Sequence, residues 1–282
     1  MTEWMTQPIC LTTRHGKERA LRRPFRWGLG QTLQVCACDT DQLGSFSGEI
    51  ERPADALETC RRKARLGLEQ TGLRYGLASE GSFRPHPAVP LLAVGQELLV
   101  YLDHERNLEL VERRLELRTN HSQQHFGPGD DLAGWLRQVG FPSHGVIARP
   151  ERWQRGDPLF KGLRSTTALA QAVASCRAAD PAGRIQLESD MRAHQNPTRM
   201  ASIARLGVAL VRRLRTPCPR CQLPGWGLQD TRPGLPCQWC GEPTTLTLEE
   251  LWGCPHCGES RQQPRRDGLL NADPGQCNWC NP

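Results

Sequence analysis

The sequence predicts an α/β fold with a mixed sheet, followed by a small region built on cysteine knuckles, and three observations carry that prediction. Short apolar runs of strand character alternate with helical patterns from the start to about residue 214. Two of those runs, 97–103 and 108–117, are joined across His104 to Asn107 alone, which reads as an antiparallel hairpin in a sheet that is not purely parallel. Beyond Pro217 the composition shifts to Cys, Pro, Gly and Trp, and the spacing Cys-x-x-Cys recurs four times. The predicted division is therefore residues 1–214 and 215–282.

In chain order, strands are expected at 9–13, 33–38, 75–79, 97–103, 108–117, 145–149 and 184–188, because these are short runs rich in apolar and β-branched residues. Helices are expected between them at 16–23, 54–71, 130–139, 166–178 and 197–214. The second of these carries a stripe of Ala56, Leu57, Cys60, Ala64 and Gly67, and the last starts at Asn196-Pro197, a good helix entry.

Of 282 residues, 38% are hydrophobic and 23% charged with mixed signs, which excludes a disordered or fibrous chain. No apolar run is long enough for a membrane span, and Met1 to Cys10 has neither a basic nor an apolar leader region, so a cytoplasmic protein without a membrane partner is expected. Of the 36 basic residues only Lys17, Lys63 and Lys161 are lysines, which marks positions where a compact ammonium serves better than a planar guanidinium.

The knuckles are Cys218/Cys221, Cys237/Cys240, Cys254/Cys257 and Cys277/Cys280. Both thiolates of one such turn can face one tetrahedral ion, so the pattern points to two structural Zn2+ ions, each held by four cysteines. Taken in chain order the spacings suit two zinc ribbons, but four knuckles permit three pairings, including a middle ribbon of Cys237/Cys240 with Cys254/Cys257. The region is poor in apolar residues, so metal would supply much of its folding free energy, on the order of 10 kcal/mol per site. From Arg215 onward six Arg face seven Asp and Glu, and no Lys occurs. That balance disfavours nucleic acid as the partner of this region and favours a structural role or a protein partner.

The excess positive charge lies in residues 1–214, and three segments there carry chemistry. The first strand runs into Thr12-Thr13-Arg14-His15-Gly16-Lys17, a strand-to-helix turn able to hold phosphate oxygens. Glu58-Thr59-Cys60-Arg61-Arg62-Lys63-Ala64 opens a helix, where Glu58 and Arg62 are also spaced for an exposed ion pair. Ala78-Ser79-Glu80-Gly81-Ser82-Phe83 places an acid at the end of an apolar strand, a common position for a crevice.

In that order the segments resemble the inosine/xanthosine triphosphate pyrophosphatase superfamily, which includes the Maf-like enzymes. Thr12 and Lys17 match its T-x-N-x-x-K, Glu58, Lys63 and Ala64 its E-N-A-x-x-K-A, and Glu80 the acid of its third motif, while Arg14, Thr59 and Cys60 depart from it. The resemblance implies an elongated mixed sheet flanked by helices, and hydrolysis of a nucleoside triphosphate to a monophosphate and pyrophosphate. It further implies Mg2+ on Glu58 and Glu80 with Glu49 as a further acid, phosphate clamping by Lys17 and Lys63, and contacts from Thr12, Thr13 and Arg14. Arg192, His194 and Arg199, in the run from Asp190, stand where the superfamily has a His/Arg motif near the nucleotide. The alternative is a non-catalytic nucleotide- or RNA-end-binding module with the zinc region for partner docking; a homodimer is compatible with either. Nearly the whole chain also resembles an uncharacterised bacterial family, through His15 to Glu18, Thr40 to Glu49, Ala78 to Pro87, Asp190 to Met200 and Cys280 to Pro282.

Overall fold

The computed structural model describes residues 7–38, 55–85 and 93–281; Glu49 and the whole motif from Thr40 to it lie outside them. The chain divides into two compact units, one from Met1–Asp103 and Val111–Ala209, the other from His104–Leu110 and Leu210–Pro282. Among the described residues no helix is long and apolar enough to cross a membrane.

In the first unit β1 (Ile9–Thr12) lies parallel to both β2 (Leu33–Cys36) and β3 (Tyr75–Pro85), and β3 pairs antiparallel with β4 (Ala93–Asp103). With β5 (Leu108–Glu116), the other arm of the expected hairpin, the sheet order is β2-β1-β3-β4-β5. The strands that follow form a separate sheet. β6 (Gln123–Phe126), β9 (Ile185–Ser189), β7 (Val146–Pro150) and β8 (Phe160–Leu163) make an antiparallel sheet in that order. The mixed α/β class thus stands, with two sheets where one elongated sheet was expected. β6 and β8 escape a pattern search because they are four-residue edge strands with little alternation, and their pairing partners decide them.

Helix α1 (Glu18–Leu29) runs through Pro24, past the expected end at residue 23. Ala20, Leu21, Phe25 and Leu29 are all buried on one face, and that burial offsets the roughly 3 kcal/mol cost of an interior proline. Helix α2 (Ala56–Thr71) is capped by the Asp55 side chain, which accepts from the Glu58 N–H at 2.8 Å, and ends at left-handed Gly72. Its stripe packs Cys60, Ala64 and Leu68 over Cys10, Ala78 and Val100 of the sheet. Any Cβ at Gly67 would collide with Thr12 Oγ1, so the glycine sets how closely α2 approaches β1. A second core, under α3 (Ala133–Val139) and α4 (Thr166–Ala179), gathers Phe126, Trp135, Val146, Leu169, Ile185 and Leu187. Helix α5 (Pro197–Leu214) starts where Asn196 Oδ1 accepts from the Arg199 N–H at 3.0 Å.

In the second unit β10 (Gly227–Pro233), β11 (Thr247–Gly253) and β12 (Ser260–Pro264) form an antiparallel meander. Each strand connects one knuckle to the next. Gly227 pairs with Gly253 and Gly253 with Ser260 at one end of the meander, while Pro233 pairs with Thr247 and Glu249 with Pro264 towards the other.

Candidate functional site

The meander decides which knuckles meet. Because successive strands reverse direction, the first and third knuckles arrive at one end and the second and fourth at the other. Cys218, Cys221, Cys254 and Cys257 form one group and Cys237, Cys240, Cys277 and Cys280 the second, the Sγ atoms of each lying within 4.8 Å of one another. This interleaved arrangement corrects both the chain-order reading and the middle ribbon. The meander was not anticipated because β10 and β12 are polar strands without an apolar repeat.

The geometry fits zinc. Sγ separations of 3.6 and 3.7 Å in the first group and 3.8 and 3.6 Å in the second compare with the edge of about 3.8 Å expected for a tetrahedron of Zn–S bonds near 2.3 Å. Each turn supports its ligands: the N–H groups of Arg220 and Trp239 donate to Cys218 Sγ and Cys237 Sγ, both at 3.4 Å. The Cys240 and Trp239 backbone N–H groups, against the effect of burial, hold the Cys237 thiol down to about 7, toward the thiolate that binds metal. Residues after the second cysteine turn left-handed, at Gln222, Gly241 and Gly258, which explains the recurrent glycine there.

The first unit gathers a charged cluster where β1 stops and β3 continues. β3 does not end at Ser79 as expected: it pairs with β4 in one register from Tyr75–Asp103 to Pro85–Ala93, so Glu80 stands mid-strand and 2% exposed rather than in a turn. Lys17 reaches the β3 edge left open by β1 and donates from Nζ to the Ser79 carbonyl at 2.7 Å. On the face covered by α2, Lys63 Nζ meets Glu80 Oε2 at 2.7 Å. On the opposite face Arg199 of α5 donates to Glu97 Oε1 at 2.6 Å and Oε2 at 3.3 Å, donates also to the Met191 carbonyl, and stacks over Phe83. Gly81 leaves room for that pair, since a Cβ there would lie 2.7 Å from Glu97 Oε1.

Burial, then the repulsion of Arg199, lowers the Lys17 ammonium to about 8, while Glu80 and Glu97 pull the other way. His15 stacks on His194 with ring centroids 5.3 Å apart. Burial and the charges of Lys17, His194, Arg192 and Arg199 push His15 down to about 3, so its imidazole is neutral. Burial lowers His194 as well, and its Nδ1 is enclosed with no hydrogen-bond partner among the described residues. Arg192 is bound to Asp190, with Nε 3.0 Å from Oδ1 and Nη2 2.5 Å from Oδ2.

The structure thus brings together Lys17, Lys63, Glu80 and Arg199, and places His194 and Arg192 about the 13–17 loop through His15. Thr13 Oγ1 accepts from the His15 N–H at 3.3 Å, within that loop. Three expected contributors do not join. Glu58 pairs with Arg62 at 3.2 Å, and with Arg61 and Arg65, on the outer face of α2, as its helical spacing also allowed. Thr12 is buried under Gly67, and Arg14 is exposed. Glu97 was not anticipated: its partner is 102 positions away, and the only local signal is an acid within a largely apolar strand that also carries Gln96 and Asp103.

Fold and sites together define a mixed α/β protein with two four-cysteine groups able to hold metal ions and a buried charge cluster. The family described as a domain of unknown function, DUF6671, matches residues 63–282, and the chain belongs to it. That match spans Lys63, Glu80, Glu97, Arg199 and both metal centres. No curated protein and no solved structure matches the chain.

Proposed function

We propose that the first unit binds a phosphorylated nucleotide where β1 ends beside β3 and hydrolyses it as a nucleoside-triphosphate pyrophosphatase of the inosine/xanthosine triphosphate type. One observation carries this reading: Lys17, Lys63 and Glu80, the residues that match the superfamily motifs, meet on one strand segment, Lys17 from the loop before α1, Lys63 from α2 and Glu80 from β3 itself. Lys17 and Lys63 offer ammonium groups to phosphate oxygens, and the neutral His15 and His194 offer ring nitrogens beside them. Glu80 is the carboxylate suited to Mg2+, which commonly takes one or two carboxylates together with substrate phosphates. When bound, the ion would neutralise the triphosphate and favour attack of water on the α-phosphorus.

A second reading, nucleotide binding without hydrolysis, is favoured by the pairing of the acids. Glu58 faces Arg62, Glu97 faces Arg199 and Glu80 faces Lys63. Pyrophosphate release with Mg2+ from standard and deaminated nucleoside triphosphates separates the two. The expected result is release that falls by about a hundredfold in Glu80→Gln and Lys17→Ala and is unchanged in Glu58→Ala. Nucleotide binding with no release from any substrate would replace the first reading by the second.

A further inference from the structure

The two metal centres carry different side chains at the same place. In each C-x-x-C turn the residue before the second cysteine lies at the tip: Arg220 and His256 on the first centre, Trp239 and Trp279 on the second. Trp239 and Trp279 are 77% and 75% exposed. Such large rings gain most when covered, and folding of the unit does not use them, since its own apolar cluster is built with Trp226 and Trp252. Leu270, 76% exposed, belongs to the segment that runs beside the Cys237 knuckle, where Ala272 N donates to Pro236 O at 2.8 Å and Gln238 N to Ala272 O at 3.0 Å.

The knuckles of this centre and the segment beside it carry charge of one sign. Residues 233–260 and 267–282 contain no Lys or Arg, while Glu242, two residues after Cys240, and Asp273, next to Ala272, are exposed. The arginines elsewhere in the meander are each matched by an acid: Arg232 by Glu249, Arg261 by Glu259, Arg265 by Asp267 and Arg266 by Glu250. A phosphate backbone would find no lysine or arginine on the knuckles of this centre. A cationic side chain would find both a negative ring face and nearby carboxylates.

We infer that the second metal centre is a docking surface for a partner protein segment rich in arginine or lysine, whose cationic groups lie over Trp239 and Trp279 with Glu242 and Asp273 beside them. The surface is separate from the charge cluster of the first unit and does not depend on the activity proposed for it. The first centre, with Arg220 and His256 at its tips, lacks this capacity.

The test uses the full zinc-loaded chain and fluorescence anisotropy with a short labelled peptide alternating Arg and Gly. Peptides with Glu or Pro in place of Arg, and a labelled single-stranded oligonucleotide, serve as competitors in chemistry. The Arg peptide is expected to bind best. Trp239→Ala with Trp279→Ala should weaken it by about tenfold or more, while Arg220→Ala leaves it within about twofold. Metal content equal to that of the unaltered protein in each variant shows that the unit remains folded. Absence of binding, binding unaffected by the tryptophan substitutions, or preference for the oligonucleotide or the Pro peptide would overturn the proposal. So would self-association abolished by the same substitutions, which would assign the surface to a second copy of the chain.

Discussion

Leu11, Leu77, Leu99 and Ile203 are fully enclosed in the first unit, around a cluster of buried charges. The second unit has a far smaller apolar cluster, Cys218, Trp226 and Cys254 with Cys221, Trp252 and Cys257 against them, and all four of those sulfurs belong to one group able to hold a metal ion. The difference teaches where order comes from in each. Apolar burial in the first can carry the cost of enclosing Glu80, Glu97, Lys17 and Arg199, provided they are paired. In the second, metal held by the four-cysteine groups would take the place of a core, and Trp239 and Trp279 stay outside it, exposed.

The largest effect should come from removing metal. Chelation is expected to abolish amide protection of β10 to β12 while the first unit's sheets stay protected, a loss on the order of 10 kcal/mol per site, followed by hydrogen exchange. Interleaving can be tested in the same preparation by metal analysis. Cys218→Ser with Cys254→Ser should cost one ion, because both serve the same centre, whereas Cys218→Ser with Cys237→Ser should cost both. The opposite stoichiometry would restore the chain-order pairing.

A smaller effect is expected in the first unit. Glu97→Ala leaves the Arg199 guanidinium enclosed without its carboxylate and should lower unfolding free energy by about 3–5 kcal/mol in urea titration, with the metal centres unchanged. Replacing both partners with apolar residues of similar volume should cost much less, and an equal cost would mean that the pair itself, rather than the unpaired charge, stabilises the unit.

The smallest effect is the pH response of Lys17. Its pKa is about 8 when folded against 10.5 for an ordinary lysine, so between those values the unfolded chain holds the extra proton. Stability from this group therefore rises with pH across that window, by up to roughly 3 kcal/mol, and the full burial cost is present below it. Urea midpoints at about pH 7.5 and 10 should show the rise in the unaltered protein and lose it in Lys17→Met. A Lys17→Met profile identical to that of the unaltered chain would remove Lys17 as its source.

Much of the first unit was legible. The stripe on α2 announced its buried face, the short 104–107 connection announced the hairpin, and Asn196-Pro197 announced the start of α5. Lys63 and Glu80 were singled out by motif, and they meet. Glu58 had two readings, a metal ligand from the resemblance and an ion pair from its helical spacing, and the structure shows it paired with Arg61, Arg62 and Arg65. Pro24 concealed the second half of α1, since local propensity weighs a proline heavily while the burial of Phe25 and Leu29 depends on the rest of the fold. The knuckle tips did hold a signal for the pairing: Cys-Pro-Arg-Cys shares a centre with Cys-Pro-His-Cys, and Cys-Gln-Trp-Cys with Cys-Asn-Trp-Cys.

By itself the sequence determined that the chain alternates strands and helices and ends in cysteine turns suited to metal, since periodicity and ligand spacing are local properties of a backbone. It also determined that the second region would be acidic, which follows from composition alone. Only the tertiary structure decided that the knuckles interleave, that β3 carries Glu80 into mid-strand, and that Glu97 opposes Arg199. Those are long-range facts. A meander's reversals, a strand's register and a buried ion pair each join residues whose separation along the chain contains no record of their distance in space.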